Sequence, residues 1–205
     1  SYTANISAIK IISDKVKKAN PSIKQVIGGV HATLDSDILN TLPSVDYSIQ
    51  REGEEAMLAL VENKNPRSIP GVVSRDNGAL FKTGIAPVIK NIDQLPLPER
   101  EKFWGIPELE RRNVDVSYIN TIRGCPYKCT YCASPFHWDR KTTRLRSPES
   151  VIAEMKHLKE KYWQGTKFDY SASANISEKE SLKIEDNTLV YFVDDVFTVN
   201  KKRVK

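Results

Sequence analysis

The sequence predicts an α/β fold in which helices alternate with strands that pair in parallel. Ile6, Ile9, Ile12 and Val16 recur at helical spacing and predict an amphipathic helix, and a short apolar strand over 25–27 follows. A helix around 37–42, a strand around 45–49 and a helix over 54–61 continue the alternation. Because alternating strands and helices are typical of parallel sheets, we expect a parallel sheet in this part of the chain.

Residues 67–115 interrupt the alternation, because five prolines punctuate them and no long periodic run survives. Within this stretch, the apolar segments 71–74 and 79–82 flank Asp76-Asn77-Gly78. An Asn-Gly pair tolerates the positive φ angles of a hairpin turn. We therefore expect a connector that carries one small β-hairpin.

A second alternation begins with a predicted strand over 116–122, which leads into Arg123-Gly124. Ser147-Pro148-Glu149 predicts a helix start, with a capping hydroxyl, a proline at the first helical position and an acid in the first turn. The predicted buried face of that helix comprises Val151, Ile152, Met155, Leu158 and Tyr162. Residues 164–187 are polar and predict a flexible insertion, and the apolar run 189–193 predicts a strand covered on both faces.

Composition and charge exclude several classes of protein. The chain has 205 residues, of which 40% are hydrophobic and 28% charged, so collagen-like, mucin-like and wholly disordered proteins are excluded. No run approaches the roughly 18 to 20 apolar residues of a membrane span, and the first residues do not form a secretory signal. We therefore expect a cytoplasmic protein. The net charge of +5 is spread along the chain and does not favour nucleic acid as a partner.

All three cysteines, Cys125, Cys129 and Cys132, lie within eight consecutive residues. An odd number of thiols in so short a loop makes a poor disulfide framework, so metal binding in a reducing compartment is the better interpretation. One alternative is a zinc site with His137 as the fourth ligand, in a binding module whose basic surface contacts nucleic acid. Zinc sites usually have two separate pairs of ligands, and no second pair is present. The other alternative is a four-iron four-sulfur cluster with one iron left open.

The spacing of the three cysteines, with Tyr131 just before the last, resembles the signature loop of the radical S-adenosylmethionine (SAM) enzymes. The run 191–198 looks like the second barrel strand of the subgroup that carries a cobalamin-binding domain in front. The resemblance implies that the cysteines hold a four-iron four-sulfur cluster, whose open iron binds SAM and whose electron cleaves it to a 5′-deoxyadenosyl radical. It also implies that Tyr131 packs near the adenine and that Asp194 or Asp195 positions the SAM amino group. It assigns no catalytic acid, base or nucleophile.

The front of the chain extends this resemblance. The segments 26–32 and 51–55 look like the later half of a flavodoxin-like (Rossmann-type) cobalamin-binding domain. By that resemblance, Gly28 and Gly29 let the backbone approach the nucleotide tail of cobalamin. We expect the C-terminal half of this domain at 1–66, a linker with the hairpin at 67–115, and the N-terminal part of a partial (βα) radical SAM barrel at 116–205.

On this interpretation the chain is a fragment, the end of one domain joined to the start of another. The resemblance implies an oxygen-sensitive enzyme that transfers a methyl group to a small-molecule substrate or rearranges one of its rings. Its implied partners are that substrate and an electron donor such as flavodoxin or ferredoxin. A partial barrel leaves an unpaired strand edge, which favours association with other chains.

Overall fold

The computed structural model describes four stretches of the chain: residues 1–100, 116–138, 142–162 and 189–204. The predicted insertion at 164–187 lies outside the described residues. The chain divides into two compact units, which comprise Ser1–Lys90 with Gly124–Thr143, and Asn91–Arg123 with Arg144–Lys205. The predicted division at residues 66 and 115 stays a prediction. None of the helices in the described stretches is long and apolar enough to cross a membrane.

The first unit contains a four-stranded sheet in the order β1-β2-β3-β4. Its strands are Val26–Ile27 (β1), Tyr47–Ile49 (β2), Val72–Asp76 (β3) and Ala79–Lys82 (β4). Its helices are Ile6–Ala19 (α1), Val30–Leu34 (α2), Ile38–Thr41 (α3), Glu54–Val61 (α4) and Ser134–Trp138 (α5). β1 and β2 pair in parallel, as predicted. β3 pairs antiparallel with both β2 and β4, so the sheet is mixed and not parallel throughout.

The predicted hairpin is present as β3 and β4. Asn77 and Gly78 form its turn with φ angles of 48° and 86°, the left-handed region that an Asn-Gly pair tolerates. Because β3 also pairs with β2, the hairpin extends the sheet of the first unit. The sequence does not show this pairing, because the two strands are separated by helix α4.

Two apolar clusters form the core of the first unit. One joins β1, α2 and α3 to Val73 of the hairpin, and the other joins Ile49, Ala56, Ile69 and Val72. Helix α1 is less buried than its pattern predicts, since Ile12 is 60% exposed. Ser13 is buried there instead, and the side-chain amide of Gln25 donates a hydrogen bond to its carbonyl.

Two strand pairs lie among the described residues of the second unit. Its strands are Val116–Ile119 (β5), Ile122–Arg123 (β6), Arg144–Leu145 (β7) and Leu189–Phe192 (β8). β5 and β8 are parallel neighbours, as expected for successive strands of a βα unit. The single strand predicted over 116–122 is instead broken after Ile119, because β6 leaves the pairing with β8 and pairs antiparallel with β7.

Helix α6, Pro148–Tyr162, begins where the sequence predicts. Ser147 caps it, since its hydroxyl accepts a hydrogen bond from the Ser150 amide at 3.1 Å. Val151 and Leu158 are buried against Ile119, with Val190 packed beside them. Ile152 is 49% exposed, so the buried face is narrower than predicted. The last helix of the unit is Lys201–Val204 (α7).

Candidate functional site

The three cysteines lie on the segment that leaves strand β6 and returns to strand β7. All three are free thiols; Cys129 is exposed, and Cys125 and Cys132 are half-buried. The Cys132 amide donates to the Cys129 carbonyl at 3.1 Å, so a tight turn joins the second cysteine to the third. The predicted metal-binding thiols are therefore close in sequence and at least partly exposed to solvent.

The two ends of this loop approach each other closely at Gly124 and Thr142, and we call this close approach the neck of the loop. Gly124 has a φ of +98°, and a Cβ atom built on it would lie 2.4 Å from the carbonyl oxygen of Thr142. Only glycine fits such a close approach of two backbone segments at positive φ. The sequence analysis did not predict this close approach, although the glycine that follows the predicted strand, Gly124, is a signal that could have indicated it.

The donor set matches an iron–sulfur cluster in its chemistry, because such clusters are held by cysteine thiolates. In the stretches that the structure describes, no three His, Cys, Asp or Glu side chains surround a point where a metal ion could bind. The predicted role of Cys125, Cys129 and Cys132 as cluster ligands stays a prediction. The same finding applies to the alternative zinc site, and the Nδ1 atom of His137 lies 3.3 Å from the Thr33 hydroxyl.

Tyr131 lies on the same loop with 90% of its surface exposed. This exposure leaves the face of its ring accessible to a flat ligand. The predicted contact with adenine stays a prediction.

Asp194 and Asp195 follow strand β8 and lie in different surroundings. Asp195 is exposed, whereas Asp194 is half-buried. Both carboxylate oxygens of Asp194 accept hydrogen bonds from the corner between β5 and β6, including bonds of 2.6 Å from the amide and the hydroxyl of Thr121. The predicted role of either residue at the SAM amino group stays a prediction, but the oxygens of Asp194 already have partners within the protein.

Gly28 and Gly29 follow strand β1, where a close backbone approach is expected. Gly29 has a φ of +92°, and a Cβ atom on it would lie 2.3 Å from the Ser1 nitrogen. The Ser1 hydroxyl donates to the Gly28 carbonyl at 2.8 Å. Ser1 itself makes the close approach in this structure, and contact of the two glycines with cobalamin stays a prediction.

The sequence did not lead us to predict a buried ion-pair network in the second unit. The Glu154 side chain in helix α6 is only 2% exposed, and its Oε1 atom lies 2.7 Å from a guanidinium nitrogen of Arg100. Its Oε2 atom pairs with Arg146. The available signal was a glutamate at helical spacing from Val151 and Leu158, on the face predicted to be apolar. This network fixes the proline-rich connector and the segment after β7 to one helix.

A model of a known protein family matches the segment that carries the cysteines. The family model described as the radical SAM superfamily matches residues 119–170, which include the end of β5, the cysteine loop and helix α6. This match, over the segment that carries the cysteines, confirms the resemblance to the radical SAM enzymes.

Curated relatives cover most of the chain. An uncharacterized methyltransferase of Pyrococcus horikoshii is 28% identical over 192 residues, which are 91% of this chain and 36% of that protein. The anaerobic magnesium-protoporphyrin IX monomethyl ester cyclase of Cereibacter sphaeroides is 28% identical over 172 residues, 76% of this chain and 27% of that protein. The chain therefore spans about a third or less of the length of these two relatives.

Two solved structures share the fold. The radical SAM methyltransferase TsrM from Kitasatospora setae matches with a TM-score of 0.63 and 18% identity, over 95% of this chain and 34% of that one. The cobalamin-dependent radical SAM enzyme OxsB matches with a TM-score of 0.62 and 17% identity, over 95% of this chain and 24% of that one. The α/β fold of this chain is thus similar to that of radical SAM enzymes.

Proposed function

We propose that this chain is the part of a radical SAM enzyme that holds a four-iron four-sulfur cluster through Cys125, Cys129 and Cys132. The observation that carries the proposal is the set of three free thiols on one loop, inside the segment matched by the radical SAM model. Three thiolates leave one corner of a cubane cluster without a protein ligand, which is the position that SAM would take.

The residues of the chain have distinct tasks in this proposal. When bound, the reduced cluster supplies the electron that breaks a sulfur–carbon bond of SAM. Gly124 allows the neck of the loop to close, and the exposed ring of Tyr131 offers a flat apolar face to adenine. A carboxylate at the end of β8, from Asp194 or Asp195, would complement the SAM ammonium group.

The first unit has a separate role. We propose that its parallel β1–β2 pair and Gly28-Gly29 turn belong to the later half of a flavodoxin-like cobalamin-binding domain. The proposal is supported by the fold shared with TsrM, whose structure was solved with cobalamin bound, and with OxsB, described as cobalamin-dependent. Gly29 supports it as well, because its backbone conformation permits a close approach.

The proposed reaction is methyl transfer to a small molecule, or rearrangement of a ring in one. The names of the relatives support both, since they include methyltransferases and a cyclase. An exposed cluster of this kind would be sensitive to oxygen and would need a one-electron donor such as flavodoxin or ferredoxin. We accordingly propose that the enzyme works in the cytoplasm.

Anaerobic reconstitution with iron and sulfide tests the proposal. The wild-type chain should take up about four iron and four sulfide per chain, and the reduced protein should give the electron paramagnetic resonance (EPR) signal of a four-iron cluster. Cys129→Ser should lose most of the iron, and His137→Ala, the matched control, should keep it. Stoichiometric zinc that requires His137, with no iron uptake, would overturn the proposal in favour of the zinc-binding module.

A further inference from the structure

The corner between β5 and β6 is centred on Thr121, which is fully buried. Its amide and its hydroxyl both donate to Asp194, each at 2.6 Å. Its carbonyl accepts hydrogen bonds from the Arg146 amide at 2.9 Å and from the Arg203 guanidinium at 3.2 Å. Every polar group of Thr121 is thus bonded, and Asp194 supplies both acceptors.

Asp194 also bonds the residues on either side of Thr121. Its Oδ1 atom accepts from the Ile122 amide at 2.9 Å and from the Asn120 side-chain amide at 3.3 Å. The chain changes its strand partner here, so the amides of Thr121 and Ile122 depend on the carboxylate for their hydrogen bonds. An unpaired backbone N–H in a buried position is costly, and hydrogen bonds to an ionised acceptor are stronger than neutral ones.

The corner lies immediately before the cysteine loop. Gly124, at the neck of the loop, follows Thr121 by three residues. Where the chain returns from the loop, Arg144 of β7 lies opposite Arg123 of β6 in the antiparallel strand pair. The Arg146 amide, just after β7, donates to the Thr121 carbonyl. A single corner therefore fixes both the strand from which the loop departs and the strand to which it returns.

We propose that Asp194 is a positioning residue for the cysteine loop, acting through Thr121 and Ile122, and is not a ligand of the SAM amino group. The inference rests on the proposed function, because the position of the loop matters for catalysis only if its cysteines hold the cluster. Asp194 holds the strand end at the corner, so the cysteines start from a fixed backbone when the loop closes around the cluster. Both carboxylate oxygens of Asp194 already accept hydrogen bonds from this corner.

Amide hydrogen exchange, followed by nuclear magnetic resonance on the chain without a cluster, tests the first half of the inference. Asp194→Ala should accelerate exchange at Thr121 and Ile122 by about tenfold or more, because each amide loses a charge-assisted hydrogen bond. Asp194→Asn keeps one acceptor oxygen and should retain most of the protection. Asp195→Ala, the matched control at the exposed neighbour, should leave both amides unchanged.

The cluster signal tests the second half. After anaerobic reconstitution, Asp194→Ala should change the EPR line shape and lower the iron content, and Asp194→Asn should restore both. Thr121→Val removes only the hydroxyl bond and should give an intermediate signal, which provides a second variant if Asp194→Ala folds poorly. A general loss of stability would not produce this graded spectroscopic rescue.

Two results would overturn the inference. One is unchanged amide exchange in Asp194→Ala, since the carboxylate would then not hold the corner. The other is a wild-type EPR signal in Asp194→Ala together with a loss of SAM binding measured by calorimetry, since Asp194 would then be a SAM ligand. If the wild-type chain forms no cluster, the proposed function fails and the positioning role fails with it, even where the exchange results show that Asp194 holds the corner.

Discussion

Replacing Glu154 with glutamine should destabilise the second unit, because the carboxylate is buried between two guanidinium groups. The side chains of Glu154, Arg100 and Arg146 are 2%, 15% and 12% exposed. Removing one partner of a buried ion pair costs about 3 to 5 kcal/mol, since the remaining charge is left without compensation. Glutamine keeps one acceptor oxygen, so we expect the free energy of unfolding to fall by about 3 kcal/mol, the lower end of this range. For a chain of this size, that loss lowers the melting temperature by about 6 to 12 °C.

Urea unfolding followed by circular dichroism measures this loss. Glu154→Gln should lower the midpoint without changing the slope, because the surface exposed on unfolding stays the same. Glu149→Gln is the matched control, since Glu149 lies in the first turn of the same helix and is exposed. Its effect should stay within about 0.5 kcal/mol of wild type.

A double-mutant cycle with Arg100→Gln separates the ion pair from other effects of the substitution. The sum of the stability losses of the two single variants should exceed the stability loss of the double variant, because Glu154 and Arg100 share one interaction. A Glu154→Gln variant as stable as the Glu149→Gln control would refute the reasoning, as would strictly additive losses.

Two further predictions concern the first unit. Gly124→Ala should destabilise the protein clearly more than Gly78→Ala. Both glycines have a positive φ, which alone should make Gly78→Ala cost about 1 to 2 kcal/mol. Of the two added Cβ atoms, only the one at Gly124 meets a neighbour, Thr142. Equal thermal melting curves would contradict this. Burial raises the pKa of Asp46, but hydrogen bonds from Lys17, the Gln25 amide and Lys24 outweigh it and leave the pKa below its ordinary value. The stability that Asp46 contributes is therefore present above about pH 4 and is lost as the pH falls through the lowered folded-state pKa. Asp46→Asn should flatten this acid dependence in urea titrations, and an unchanged slope would show that the side chain has no such role.

Local signals explain which parts of the fold could be predicted. The hairpin follows from Asn77-Gly78, and the start of α6 follows from the cap at Ser147, because each depends on residues that are neighbours in sequence. The cysteine loop was predictable for the same reason, since its three thiols lie within eight residues.

The missed features depend on contacts between distant residues. Arg100 and Glu154 are 54 positions apart, and Asp194 and Thr121 are 73 positions apart, so no local pattern indicates either pair. The break after Ile119 was missed because no Gly or Pro marks it, and only the change of pairing partner ends β5. Ile12 and Ile152 were assigned to buried faces because periodicity indicates which side chains share a face, and not how much of that face is covered.

The hairpin that extends the first sheet sets a practical limit on where the chain can be shortened. Cutting after residue 66 would remove Val72 and Val73, both fully buried and each in a different apolar cluster. It would also leave one edge of β2 without a neighbouring strand, and such bare edges recruit other polypeptides. A piece made to test the proposed cobalamin binding should therefore retain β3 and β4, so that both clusters and the sheet edge stay covered.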